Sequence, residues 1–145
     1  MPPKPAKSLL EALPSEAALT PALQALAHAS TLDGGAGKDT LIGGSGNDLF
    51  LLDNSGDVII DSGGDNSVKA WASVDLRKFN ARITSVSLQG DGNINATAGL
   101  NVAATLTGNA GRNVLTGSAG SDVLSDWGGG ADTLAGGKGD DSYNV

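Results

Sequence analysis

The 145-residue chain has no cysteine, so no disulfide can brace it. Packing, metal or both must hold the fold. The absence of cysteine does not by itself fix the compartment. Aromatic residues are scarce: two Phe, two Trp and one Tyr. An interior built on rings is excluded, and stacked small and aliphatic side chains must fill it. With His28 as the single histidine, soft-metal sites are disfavoured and the chain offers no Ser/His/Asp set, zinc motif or phosphate loop. No apolar run approaches the roughly 18 residues of a membrane span. A net charge of −7 would repel nucleic-acid phosphates. Glutamate is confined to Glu11 and Glu16, so every acid after residue 30 is Asp. Glycine is missing before Gly34, yet 22 follow.

These contrasts divide the chain at residue 30. Residues 1–30 read as a Pro/Lys-rich disordered tail followed by short helices. Ser8-Leu9-Leu10-Glu11 is a capping box, Pro14 ends that helix, and Thr20-Pro21 opens a second one running to Ala29. Leu19, Leu23 and Leu26 share a face. They form either a helical cap over the first coil of a solenoid or a linker or partner-binding helix. The same stretch reads poorly as a signal peptide, since Glu11, Pro14, Glu16 and Gln24 interrupt its apolar centre.

Residues 31–145 repeat every nine positions. Gly34-Gly35-Ala36-Gly37-Lys38-Asp39-Thr40-Leu41-Ile42 and Gly43-Gly44-Ser45-Gly46-Asn47-Asp48-Leu49-Phe50-Leu51 both fit G-G-x-G-x-D-x-U-x, where U is a large apolar residue. Leu32, Leu41, Phe50, Ile59 and Val68 form one comb, with Asp39, Asp48, Asp57 and Asn66 at the matching turn position. Residues 70–98 blur the period into a loosely alternating, irregular β segment. Their basic interval, Lys69, Arg77, Lys78 and Arg82, is either strand-edge charge or a ligand patch. A second comb places Leu88, Leu106, Leu115 and Leu124 in phase, with Thr97 in the missing tooth and Asn113 and Asp122 in the turns. One inserted residue then shifts the phase to Asp132/Leu134 and Asp141/Tyr143. The last unit, Gly136-Gly137-Lys138-Gly139-Asp140-Asp141-Ser142-Tyr143-Asn144, fits the template in full.

A three-residue strand with one inward side chain cannot bury that side chain alone, so the units must stack. Two units make one coil of a flattened roll, and same-edge turns recur every 18 residues. Asp39 should then lie near Asp57, Asp48 near Asn66, Asn113 near Asp132 and Asp122 near Asp141. Carboxylates so placed repel by roughly 1–4 kcal/mol, and a divalent cation reverses the sign. A hard cation takes six to eight oxygens in all, so backbone carbonyls of the glycine turns must contribute, and calcium is favoured over the stricter octahedral magnesium. For Asp53, Asp61, Asp65, Asp91 and Asp140 a metal-free turn role is an equal alternative.

The pattern over about residues 31–69 and 99–145 resembles the RTX, or haemolysin-type calcium-binding, repeat family. The resemblance implies an all-β parallel β-roll, and the short α-helical segment read from residues 1–30 would be its N-terminal cap or a linker. It implies several calcium ions held by turn carbonyls and by the Asp that ends each turn. Carried onto this sequence, the ligands are Gly34, Gly35, Ala36, Gly37 and Asp39; Gly43, Gly44, Ser45, Gly46 and Asp48; Asp53 and Asp57; Gly117, Ala119, Gly120 and Asp122; Asp132; and Gly136, Gly137, Lys138, Gly139 and Asp141. Asn66 and Asn113 are weaker candidates, because each puts an amide where the family has a carboxylate. The insertion at residues 126–132 puts its site in doubt, and Ala104 leaves residues 99–107 without a turn acid.

The expected function is a non-catalytic calcium-binding module of a secreted, type I-exported protein, folding on calcium outside the cell. The alternative is an adhesin-like or polysaccharide-binding module that uses the roll as scaffold. There Trp71, Trp127 and the basic interval would carry the contact, although Trp127 is read first as filler of its Gly-rich loop. The uncapped last strand suggests a longer parent chain or end-to-end pairing of two copies.

Overall fold

The computed structural model describes residues 28–145. The helical segments expected before residue 28 lie outside the described residues, and His28 to Ser30 are not helical. Thirteen short strands follow: β1 (Thr31–Asp33), β2 (Thr40–Ile42), β3 (Leu49–Leu52), β4 (Val58–Ile60), β5 (Asn66–Ala70), β6 (Val74–Asp75), β7 (Ile83–Leu88), β8 (Ala96–Thr97), β9 (Thr105–Thr107), β10 (Val114–Thr116), β11 (Val123–Ser125), β12 (Thr133–Ala135) and β13 (Ser142–Asn144). One turn of 3-10 helix, Leu76–Lys78, interrupts them.

The odd-numbered strands form one parallel sheet, β1-β3-β5-β7-β9-β11-β13. The even strands form the opposite face, split into β2-β4 and β6-β8-β10-β12. The fold is a two-faced parallel β-solenoid, as the nine-residue period requires. Most three-residue strands point one apolar side chain inward, while Tyr143 in the last strand is half exposed. Leu32, Phe50, Val68, Val86, Leu106 and Leu124 stack in register on the odd face, and all six are buried. Leu41 and Ile59 pair across the even face, as do Ala96 and Leu115. A second buried row, Leu52, Ala70 and Leu88, runs beside Phe50, Val68 and Val86.

Two parts of the sequence reading need correction. The residue aligned with Leu106 is Val86, not Leu88, and the residue aligned with Leu115 is Ala96, not Thr97. The turns on either side of β8 each carry one extra residue, so the comb drawn backwards from Leu106 slips. Leu88 instead extends the second buried row. Residues 70–98 also stay in the roll: β7 sits between β5 and β9 in the main sheet. The irregularity falls on the even face, where β6 is only two residues long, the 3-10 turn follows it, and one bridge, Ile60 to Asn80, spans the split.

Candidate metal centre

The turns form two columns, one along each edge of the roll. After odd strands come residues 34–39, 53–57, 71–73, 89–95, 108–113 and 126–132; after even strands come 43–48, 61–65, 76–82, 98–104, 117–122 and 136–141. All four expected pairings occur. The N–H of Asp39 donates to Asp57 Oδ1 at 3.0 Å, and that of Asp48 to Asn66 Oδ1 at 2.7 Å. The N–H of Asn113 donates to Asp132 Oδ1 at 2.7 Å, and that of Asp122 to Asp141 Oδ1 at 2.9 Å.

Asp48, Asp57 and Asp122 each reach back one coil with one oxygen, to Ser30, Asp39 and Ala104 N–H. The second oxygen of each of these three closes its own turn: Asp48 Oδ2 accepts Gly44 N–H at 3.1 Å, Asp57 Oδ2 accepts Asp53 N–H at 3.2 Å, and Asp122 Oδ2 accepts Ser118 N–H at 2.6 Å. Asp48, Asp57 and Asp122 are buried. Stacked carboxylates are thus bridged by backbone N–H groups, which softens the bare repulsion expected from spacing alone. A carboxylate offers about four lone-pair sites, so two such bonds leave capacity for a cation.

The glycines let carboxylates and carbonyls approach the turn backbone closely. A Cβ at Gly34 or Gly136 would strike the carboxylate of Asp39 or Asp141, and one at Gly117 would lie 2.5 Å from Asp122 Oδ2. A Cβ at Gly137 would meet Ser118 O, and one at Gly139 would meet Gly120 O. Gly137 and Gly139 have φ of +104° and +103°, a region that L side chains avoid. Between stacked turns, carbonyl oxygens and Asp carboxylates line a space that only glycine leaves open. Among the described residues no group of three or more acidic, His or Cys side chains forms a metal cluster, so a cation here must draw on carbonyls. That donor set, hard oxygen with few carboxylates, suits calcium.

The inserted turn adds an acid that sequence reasoning did not single out as a ligand. Asp126 and Asp132 face one another, and Asp126 Oδ1 and Asp132 Oδ2 are buried without a hydrogen-bond partner among the described residues. With a proton between them the two carboxyls would share a hydrogen bond, and that bond first, then burial and the Asp132 charge, raises the pKa of Asp126. Two facing carboxyls with no donor between them require a proton or a cation. Asp126 occupies the place of the template's first glycine, which is the signal that could have found it.

Other acids have protein partners. Asp61 accepts Gly44 and Gly63 N–H groups at 3.2 Å each and the Asn66 amide at 2.7 Å. Burial nevertheless raises its pKa. Asp65 pairs with Arg82, and Asp75 pairs with Arg77 at 2.7 Å. The Arg77 guanidinium holds the Asp75 carboxyl below the usual range. Trp127 does not fill its loop: it is 65% exposed, and Trp71 is 49% exposed.

With this geometry in view, the comparison with known families is decisive. The family model for the RTX calcium-binding nonapeptide repeat (4 copies) matches residues 23–50, 99–125 and 128–144. The chain belongs to the RTX repeat family. Searches of curated proteins and of solved structures gave no match. The RTX match passes over residues 51–98, where the template's opening glycine pair is lost although the roll continues.

Proposed function

We propose that this RTX chain is the calcium-dependent folding module of an exported protein. The observation that carries the reading is the repeated meeting of a turn Asp carboxylate with its own glycine, seen at Asp39/Gly34, Asp122/Gly117 and Asp141/Gly136, with the Gly136 carbonyl of the next turn joining it at Asp122/Gly117. Full-template turns 34–39, 43–48 and 136–141, with 117–122, supply the ligands, chiefly through Asp39, Asp48, Asp122 and Asp141. Asp126 and Asp132 add a carboxylate pair in the inserted turn.

Extracellular calcium modules work at about 10⁻⁴–10⁻³ M. Cytosolic calcium lies far below that range, so the ends of the roll stay loose inside a cell and close outside it. At a hundredfold excess of calcium over the dissociation constant, each independent site adds about 2.7 kcal/mol. The role is structural. Any catalytic activity belongs to other parts of a parent protein. No helix among the described residues is long and apolar enough to cross a membrane, and the family membership supports a place at or outside the cell surface.

Far-UV circular dichroism during calcium titration of calcium-stripped protein tests this reading. A millimolar-range gain of β signal with calcium and none with magnesium is the expected result; a spectrum indifferent to chelator would overturn it. The exposure of Trp127 beside a cleft of about 360 Å³ lined by Asp126, Tyr143, Asn144 and Val145 favours one second reading, a glycan-binding role on the calcium scaffold. Glycan-array binding that disappears in Trp127→Ala would support it.

A further inference from the structure

Three asparagines in the middle of the roll are buried in the turns: Asn66 and Asn113 completely, and Asn109 to 6% exposure. Asn66 and Asn113 stand where other turns have the ligating Asp. Asn113 Oδ1 accepts the Asn109 N–H at 2.8 Å. A donor at that point fixes the amide orientation. The Nδ2 group must then point the other way, and it donates to Ile94 O at 2.7 Å and to Asn109 Oδ1 at 2.8 Å. Asn109 in turn donates to Gln89 O at 2.9 Å and Gly92 O at 3.1 Å, while its oxygen accepts Gly111 N–H at 3.0 Å. Three carbonyls of the 89–95 turn are thus satisfied by side-chain protons.

The contrast with Asp122 is specific. Asp122 Oδ1 faces a donor, the Ala104 N–H at 2.7 Å, whereas Asn113 Nδ2 faces an acceptor, Ile94 O. Asn66 follows the same logic: its oxygen takes Asp48 N–H, and its Nδ2 donates to Asp61 Oδ2 at 2.7 Å, Arg82 O at 3.2 Å and Gly63 O at 3.3 Å. An amide brings a partial positive charge and two protons into the space between turns without adding a net negative charge. Of the acids nearby, Asp65 pairs with Arg82 and Asp75 with Arg77, while Asp61 is held by N–H donors from Gly44, Gly63 and Asn66. The middle also holds the longest strand pair, β5 on β7, in register from Ser67 to Ala70 against Ser85 to Leu88, with a one-residue bulge between Asn66 and Ser67.

We infer that Asn66, Asn109 and Asn113 replace calcium with side-chain N–H groups, so that residues 66–116 form a calcium-independent seed on which the calcium-dependent ends fold. This rests on the calcium-folding reading above and divides the roll into two kinds of turn. In a solenoid, where each coil touches only its neighbours, a stable middle can template both flanks.

Hydrogen exchange of the full chain, with calcium and with EGTA, tests it. In EGTA the amides of β5, β7 and β9 should exchange at least about 100-fold more slowly than in an unfolded chain, while β1 to β3 and β11 to β13 exchange without protection. Calcium should protect all of them. Asn113→Asp places a carboxylate against Ile94 O and Asn109 Oδ1; it should lose the EGTA protection of residues 83–116 and regain it with calcium, binding one more ion by equilibrium dialysis. Uniform loss of protection in EGTA overturns the seed and leaves calcium folding standing. Uniform protection in EGTA overturns calcium folding itself, and the seed with it. An Asn113→Asp protein still protected in EGTA overturns the role given to the amide.

Discussion

At the scale of single residues, the turn Asp has two duties that mutation can separate. Asp122 accepts Ala104 N–H at 2.7 Å and Ser118 N–H at 2.6 Å, and it is also the family's ligand position. Asp122→Ala leaves two N–H groups unpaired, at about 1–3 kcal/mol each. Asp122→Asn keeps one acceptor and turns an NH₂ toward the other donor, so its loss should be about half as large. Urea denaturation in chelator should rank the variants in that order, while both lose the calcium-dependent gain at this turn. Equal stability of all three in chelator would show that the N–H bonds contribute nothing. Asp126 gives a pH signature. Its pKa is raised when folded, so the pair's protonated form stabilises the calcium-free protein. That contribution is complete below the ordinary Asp value of 3.8 and is lost as pH rises through the elevated folded value. In calcium-depleted buffer Asp126→Asn should flatten this acid-side rise in melting temperature, and an unchanged pH profile would refute the coupling.

At the scale of strands, the period read from sequence located most of the roll because one inward residue per unit decides it. Leu32, Leu41, Phe50, Ile59 and Val68 could be placed before any coordinates, since a nine-residue spacing leaves a single consistent face. The reading failed where turns changed length. An extra residue on either side of β8 is invisible when Ala96 and Thr97 are both small, and apolarity alone favours Leu88 over Val86. The Asp ladder was legible for the same reason as the core. The asparagine amides were not, because their role depends on whether the neighbouring turn presents a carbonyl or an N–H. Core residues carry their own test. Phe50 is fully buried between Leu32 and Val68, and Phe50→Ala should cost about 3–5 kcal/mol in saturating calcium by urea denaturation. A cost near 1 kcal/mol would mean that the roll collapses onto the vacancy.

At the scale of the molecule, the charge of −7 falls entirely on residues 31–145, where 14 Asp meet seven Lys and Arg. The roll concentrates these acids along two edges, so the calcium-free state carries repulsion that folding worsens. The basic residues do not relieve it evenly: Lys69, Arg77, Lys78 and Arg82 gather in the middle. About three to four calcium ions would cancel the excess, which ties the ends of the roll, where the template turns lie, to the metal for charge as well as for coordination. Screening then separates the two contributions. Raising sodium chloride from about 0.1 to 1 M shortens the Debye length from about 10 to 3 Å. It should raise the urea midpoint of the chelated protein, because only repulsion is being screened there. In saturating calcium the same salt should leave the midpoint level or lower it, because attraction between ion and ligands is screened as well. Salt that restored the full calcium-loaded midpoint in chelator would reduce the metal to a counterion; salt that restores part of it leaves the remainder to carbonyl and carboxylate coordination between stacked turns.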